Sequence, residues 1–110
     1  MSNMEWSKQE KDIAHKAFKV AYDREQRAIL ENVRKMTSEV NDSTELWQLQ
    51  EYLTEKRSEM DEKYDYRYSV LSFVFARLIC EGWLQQDDLE GLAEEKLDEI
   101  HRISIFLEGS

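Results

Sequence analysis

The side chains of this sequence that could perform catalysis or hold a metal ion are few and scattered. Histidine occurs twice, at His15 and His101, and cysteine once, at Cys80. Asp98 and His101 are three residues apart and would share a helix face, but a carboxylate metal site in a helical bundle needs a second such pair. No glycine-rich phosphate loop and no Ser-His-Asp or Cys-His spacing is recognisable. The sequence therefore predicts neither an enzyme nor a protein that carries a metal ion or another cofactor.

The single cysteine, Cys80, lies in the apolar stretch ARLICEGW. Such surroundings favour an inert buried thiol over a nucleophile. Since one cysteine cannot form an internal disulfide, the composition is typical of a reducing compartment. The N-terminal stretch MSNMEWSKQEKD has no apolar signal core, and no run of about 20 apolar residues could span a membrane. We therefore expect a cytoplasmic protein.

Trp47, in the stretch STELWQLQEYLTEKR, is the side chain that points most directly to a function. At about 100° per helical residue, it lies about 120° from the centre of the apolar stripe of its helix. Glu51 shares its side, while Gln50 and Arg57 lie at the edge of the stripe. A tryptophan beside a carboxylate and near an arginine is typical of a protein–protein hot spot. Trp47 could equally pack on the first helix or on a second copy of the chain, and the periodicity alone favours neither reading.

Helices must position these side chains, because the 110 residues include no proline and only three glycines. Apolar residues at helical spacing predict a first helix over about residues 5–40, which the turn-forming stretch VNDST ends. A second stripe predicts a long helix over residues 44–80, with Ser43 or Thr44 as its N-cap and a kink allowed within DEKYDYRY. A third amphipathic helix is predicted over residues 87–107, after Gly82.

The predicted fold class is all-α, with two long helices side by side and a short helical head in a single domain over residues 1–110. The first half of the second helix is too thinly apolar to be buried well within one chain. An elongated homodimer is therefore the expected arrangement. The alternative is a monomeric bundle of three or four helices with a kinked second helix.

Two phenylalanines at the start of the predicted head are expected to differ in role. Phe73 and Phe75 lie about 200° apart on a helix and cannot share a face. Phe75 falls on the core stripe, whereas Phe73 lies off it and is available to a partner or to the third helix.

The charge of the chain limits its partners. The 24 acidic and 15 basic residues give a formal net charge of -9. Such a chain repels phosphate backbones and anionic lipid surfaces, so we expect neither nucleic-acid binding nor membrane binding. A partner with basic patches would suit it, although an acidic surface also serves solubility alone.

One long run, LWQLQEYLTEKRSEMDEKYDYRYSVLSFVFARLICEGWL followed by LEGLAEEKL, resembles the fluorescence recovery protein family of cyanobacteria and related bacteria. The likeness covers residues 44–97, is weaker over the first helix and is absent from the last dozen residues. It is specific because tryptophan, tyrosine and phenylalanine residues stay in register over the whole run.

The resemblance implies an elongated, all-helical dimer that acts without a cofactor. Family members bind the photoactivated orange carotenoid protein, mainly through the C-terminal domain of that protein. They speed its return to the resting orange state and detach it from the phycobilisome, which ends photoprotective quenching. The resemblance thus implies a non-enzymatic regulatory binding protein.

The resemblance also implies which residues form the functional surface. The family's tryptophan and arginine on the second helix correspond to Trp47 and Arg57. Glu51 stands at the position of the family's aspartate and Gln50 at that of its histidine. In the head, an aromatic residue that contacts the carotenoid protein corresponds to Phe73.

Two departures from the family pattern change its chemistry: Gln50 replaces a histidine, and Glu99 stands where the family has a lysine in the last helix. These departures leave a second function open. The chain would then be a dimer of the same design, from a bacterium without phycobilisomes, that acts on a different client protein.

Overall fold

The computed structural model describes residues 5–109, and the remaining residues of the predicted 1–110 domain lie outside this range. The described part is helical, which confirms the all-α prediction. Its elements are α1 (Lys8–Ser38), α2 (Ser43–Lys63), α3 (Leu71–Glu81), a 3₁₀ helix (Gln86–Leu89) and α4 (Glu94–Gly109). With dimensions of 53 × 28 × 21 Å, the chain is elongated.

Helix α1 takes part in two different regions of the molecule. It begins at a capping box, in which the Ser7 hydroxyl accepts from the Glu10 backbone N–H and the Glu10 carboxylate accepts from the Ser7 backbone N–H. All buried residues of α1 lie between its start and residue 25: Glu10, Ala14, Ala17, Ala21 and Glu25. We therefore call residues 26–38 together with α2 the arm. Residues 5–25 and residues 64–109 form the head.

The apolar core of the protein lies in the head, where α3 packs against α4 and both pack near the first half of α1. Its largest fully buried side chains are Phe75, Leu71, Leu78, Leu84, Leu89 and Ile100. Gly82 ends α3 with a φ of 88°, in the left-handed region that favours glycine. The densely apolar stretch after residue 70 thus forms a true core.

The long helix predicted over residues 44–80 is wrong as a continuous element. It is interrupted by residues 64–70, which begin inside the stretch DEKYDYRY, where the sequence allows a kink, and extend two residues beyond it. In this tyrosine segment, Tyr64 and Tyr66 set their rings 5.4 and 4.8 Å from that of Phe18, and Tyr68 lies 5.6 Å from Trp6. Residues 64–67 have no regular structure and residues 68–70 form a turn, so the tyrosines can reach rings that a continuous helix would turn away from. Packing of these rings therefore outweighs the helical tendency of the sequence.

Two smaller predictions also need correction. The helix expected over residues 87–107 is a 3₁₀ helix followed by α4, because Gly91 adopts a φ of 106° between them while Leu89 and Leu92 enter the core. The N-cap of α2 is Asp42 rather than Ser43 or Thr44. Its carboxylate accepts from the Glu45 backbone N–H at 2.9 Å.

A buried ion pair ties α4 to the start of α1. The ammonium group of Lys96 lies 3.1 Å from a carboxylate oxygen of Glu10 and donates to the Glu5 carbonyl at 2.7 Å. The other oxygen of Glu10 accepts from the Ala93 backbone N–H at 2.8 Å. The bond from the Ser7 N–H, with those from Ala93 and Lys96, lowers the pKa of Glu10 from 4.5 to about 2 despite its burial.

This shift predicts a loss of stability in acid. The folded state holds the pKa of Glu10 below its unfolded value, so the stabilisation is complete above about pH 4.5 and is lost as the pH falls toward 2. The loss should reach up to about 3 kcal/mol of unfolding free energy. Urea denaturation between pH 5 and pH 2.5 measures it, with Glu10→Gln as the matched variant. An equally steep acid loss in Glu10→Gln would contradict the assignment.

Candidate protein-binding surface

The side chains of α2 divide among three sides of the helix. Its inner side faces α1, with Met60 and Lys63 buried and Tyr52 accepting a 2.8 Å hydrogen bond from Asn32. Residues at spacings of four, seven and eleven share a side. The edge side therefore carries Leu46, Gln50, Leu53 and Arg57. The tryptophan side carries Trp47, Glu51, Thr54 and Ser58.

The apolar stripe predicted for the second helix is only partly covered by its own chain. Leu49 and Met60 belong to the inner side and are half-buried and buried. Leu46 and Leu53 belong to the edge side and remain 48% and 42% exposed. On α1, Leu30 is also largely exposed and lies in the arm. The arm thus presents large apolar side chains that the described chain does not cover.

Trp47 is 58% exposed, so it does not pack into the interface between α2 and α1. Glu51, one turn further along the same side, is exposed as well. The N-terminal end of α2 is held by Asp42 and by Glu45, which accepts from the Asn41 backbone N–H at 2.7 Å. Trp47 therefore stands on a helix whose start is well fixed, and its ring is available to a second chain.

Arg57 lies where the edge side meets a groove between α1 and α2. Its guanidinium is 3.5 Å from the Asp61 carboxylate, one turn along the helix, and its side chain is 83% exposed. The groove has a volume of about 280 Å³ and is lined by Tyr22, Gln26, Ile29, Leu53, Lys56, Arg57, Met60 and Asp61. An arginine so weakly held can change its partner at little cost.

Phe73 lies in the head, on α3, and is 47% exposed, whereas Phe75 is fully buried. The expectation that these two rings occupy different faces is confirmed. The structure therefore brings Trp47, Gln50, Glu51 and Arg57 together on two adjoining sides of α2. Phe73 belongs to a separate surface beyond the tyrosine segment.

Sequence reasoning missed Leu30 and Lys63. Leu30 does not share the helix face of Ile29, Val33 and Met36. That position in the sequence could have indicated an exposed apolar side chain. Lys63 is buried at the end of α2, where it pairs with two carboxylates. No sequence signal marks it, because lysine is almost never buried and its partners are distant along the chain.

The described structure does not gather the histidine, cysteine and carboxylate side chains into a metal site. Between residues 5 and 109, no group of three His, Cys, Asp or Glu side chains is placed to hold a metal ion. Cys80 is half-buried, its thiol donates to the Ser104 carbonyl at 3.3 Å, and burial raises the pKa of that thiol. The exposed features of the arm and the head are those of protein contact surfaces.

The fold and these surfaces define a small helical protein whose exposed side chains suit binding to other proteins. Residues 6–104 match the family model described as photoprotection regulator fluorescence recovery protein. The fluorescence recovery protein of Synechocystis sp. is 40% identical over 99 residues, which cover 90% of this chain and 91% of that protein. The chain therefore belongs to the fluorescence recovery protein family, whose members are photoprotection regulators, and the family prediction is confirmed.

Solved structures support the same assignment. Fluorescence recovery proteins from Fremyella diplosiphon and from Synechocystis sp. PCC 6803 are 44% and 40% identical to this chain, and each superimposes with a TM-score of 0.88. Each comparison covers 92% of this chain and 99% of the other. Among the described residues, no helix is both long and apolar enough to cross a membrane.

Proposed function

We propose that this protein is a non-enzymatic regulator that accelerates the return of photoactivated orange carotenoid protein to its resting state and detaches it from the phycobilisome. Membership of a family of photoprotection regulators supports this function. A binding protein can act in this way without a cofactor if it binds one conformer of its partner more tightly and so shifts the population. The protein would work in the cytoplasm as a homodimer.

The observation that carries the proposal is the exposed surface of α2. Trp47, Leu46 and Leu53 are each more than 40% exposed on one helix, with Arg57 beside them. Contiguous exposed apolar side chains mark interaction sites, and tryptophan and arginine dominate binding energies at such sites. A surface of this kind supports a protein partner rather than a small-molecule substrate.

The two exposed sides of α2 suit two different contacts. The edge side and Leu30 offer aliphatic side chains, and a homodimer could bury them around a two-fold axis. The tryptophan side combines Trp47 with Glu51, which suits the carotenoid protein, and Phe73 would supply a second contact from the head. Because the chain carries a net charge of -9, the contacted surface of the partner should be basic.

The direct test mixes this protein with photoactivated orange carotenoid protein and follows red-to-orange recovery in the dark. Recovery should accelerate with increasing protein and level off when the carotenoid protein is saturated. Serum albumin at the same concentration is the control. Unchanged recovery with a folded, dimeric sample would refute this function. It would favour a different client protein, in agreement with the departures from the family pattern at Gln50 and Glu99.

Arg57→Leu should weaken the action on the carotenoid protein more than it weakens folding. A desolvated arginine at a protein contact contributes about 2 kcal/mol or more, whereas an exposed arginine contributes about 0–1 kcal/mol to stability. The concentration for half-maximal acceleration should rise about thirtyfold, which corresponds to about 2 kcal/mol. The matched control is Arg34→Leu, an exposed arginine of α1 that pairs with Glu31.

Dimerisation is measured on the same Arg57→Leu sample by light scattering. A folded, dimeric and fully active variant would exclude Arg57 from the functional surface. A monomeric variant would assign Arg57 to the contact between subunits, and the loss of activity would then be indirect.

A further inference from the structure

A buried ionic cluster joins the arm to the head. Lys63, the last residue of α2, lies 2.7 Å from a carboxylate oxygen of Glu25 on α1 and 2.6 Å from one of Glu81 on α3. The side chains of Lys63 and Glu25 are 4% and 7% exposed. Helices α1, α2 and α3 therefore meet at the ammonium group of Lys63.

Every carboxylate oxygen of this cluster has a partner. The second oxygen of Glu25 accepts from the Tyr64 hydroxyl at 2.8 Å. Glu81 accepts from the Trp83 indole N–H at 3.2 Å on one oxygen and from Arg77 at 3.1 Å on the other. The Lys63 ammonium also lies 5.7 Å from the centre of the Tyr64 ring. The cluster is thus fully satisfied and fixes the direction of each side chain.

The charges of the cluster are balanced, with Lys63 and Arg77 opposing Glu25 and Glu81. Burial alone would raise the pKa of Glu81, but the bonds from Lys63 and Arg77 outweigh burial and lower it. The burial of Tyr64 and its bond to Glu25 raise the pKa of that phenol. The phenol of Tyr64 therefore stays protonated and the carboxylate of Glu81 stays charged across the neutral pH range.

Such a buried ionic cluster is not well explained as a source of net folding stability. The cost of removing two charges from water can exceed their attraction, and apolar replacements of similar volume are often neutral or stabilising. Its directional hydrogen bonds instead favour one relative orientation of the helices that it joins. Lys63 lies where such a geometry is needed, since residues 64–70 after it are not helical and no continuous helix sets the angle between α2 and α3.

The two proposed binding surfaces, on α2 and on α3, lie on opposite sides of the Lys63 cluster. Trp47 and Arg57 belong to α2 in the arm, and Phe73 belongs to α3 in the head. A partner that contacts both surfaces at once benefits from two linked contacts only if their spacing matches its own. Variation in the angle between arm and head would weaken that double contact without removing either surface.

We infer that Lys63, with Glu25 and Glu81, is a positioning group that holds the end of α2 at one angle to α1 and α3, so that the surfaces of α2 and α3 engage the same partner molecule together. The inference rests on the proposed function for the identity of the partner. It adds that neither surface is sufficient alone. Lys63 touches no partner in this role, and its effect passes through the angle between the two regions.

The test uses the double variant Lys63→Met with Glu25→Gln. It removes the buried ion pair, keeps the side-chain volumes close, and leaves an amide that can still accept from Tyr64. Glu81 keeps its bond to Arg77. The matched control is the double variant Arg34→Met with Glu31→Gln, which removes an exposed ion pair from α1. Circular dichroism and light scattering confirm that both variants are folded and share the oligomeric state of the unmodified chain.

The angle is measured by pulsed electron spin resonance between labels on Gln48→Cys in the arm and Arg102→Cys in the head, in a Cys80→Ser background. Labelled chains are diluted with unlabelled chains so that each dimer carries one labelled subunit. We expect one narrow distance distribution in the starting chain and in the exposed-pair control. The Lys63 double variant should give a broader or shifted distribution.

The action on the carotenoid protein is measured on the same variants without labels. We expect the Lys63 double variant to need about tenfold more protein for half-maximal acceleration of recovery, since the two surfaces can no longer bind the same partner molecule at once. The control should not change. A purely structural role would lower the melting temperature without altering the distance distribution of the folded protein.

Two outcomes would overturn the inference: an unchanged narrow distribution in the Lys63 double variant, or a broadened distribution with unchanged recovery kinetics. If the unmodified chain does not accelerate recovery at all, the proposed function fails. The distance measurement then still decides, by itself, whether Lys63 fixes the arm against the head.

Discussion

Phe75→Ala is expected to lower the free energy of unfolding by about 3–5 kcal/mol. Phe75 is fully buried in the head, in the same core cluster as Leu71, Leu78 and Ile100. Its removal leaves a cavity that the surrounding helices cannot fill without losing their own contacts. Urea denaturation at a fixed protein concentration measures the loss, because the stability of a dimer depends on concentration.

The chain offers a matched control for this change in Phe73→Ala, the same substitution two residues away on the same helix. Because Phe73 is about half exposed, its loss should lower the free energy of unfolding by about 1 kcal/mol or less. It should instead raise the concentration of the variant that is needed for half-maximal acceleration of the recovery of the carotenoid protein. Equal losses of stability in the two variants, with binding unchanged in Phe73→Ala, would contradict the division of roles on α3.

The contrast between these two rings was predictable from the sequence, because it depends only on helical periodicity. Helix α3 lies within a densely apolar stretch, so the positions that repeat with the helical turn had to be buried. The same local rule placed Trp47 away from the apolar stripe of α2. Expected roles for Gln50, Glu51 and Arg57 came from the family resemblance and not from periodicity, and these roles stay predictions.

The break between α2 and α3 was not predictable from the same rule. Residues 64–70 contain no proline or glycine, and their apolar spacing continues that of the neighbouring helices. The contacts that hold them out of a helix, such as Tyr66 on Phe18, join residues far apart in the sequence. The alternation of Tyr64, Tyr66 and Tyr68 was a signal of an extended segment, but it competes with a helical pattern several times longer.

Periodicity also could not show which part of the α2 stripe a single chain covers. An apolar side chain at a helical spacing has the same appearance in sequence whether it faces α1 or a second copy. The structure separates the two, since Leu49 is half-buried while Leu46 and Leu53 remain largely exposed. That division selects the residue with which the proposed homodimer is best tested.

Leu53→Glu is expected to convert the proposed homodimer into folded monomers at micromolar concentration. Leu53 lies on the edge side, where a second copy would bury it, and a carboxylate buried there without a partner costs several kcal/mol. A two-fold dimer contains the substitution twice, so about 2 kcal/mol from each copy weakens association about a thousandfold. Leu49 is a poorer choice, because its inner position means that Leu49→Glu would also disturb the contact with α1.

Light scattering across the micromolar range measures the mass, and circular dichroism confirms that the helices remain. Gln48→Glu is the matched control, because Gln48 is exposed on α2 about 140° around the helix from Leu53. The control adds the same charge to the same helix and should leave the dimer intact. A Leu53→Glu variant that keeps the mass of two chains would place the subunit contact away from the edge side. If the unmodified chain itself has the mass of one chain, no dimer exists and the exposed leucines must serve a different protein.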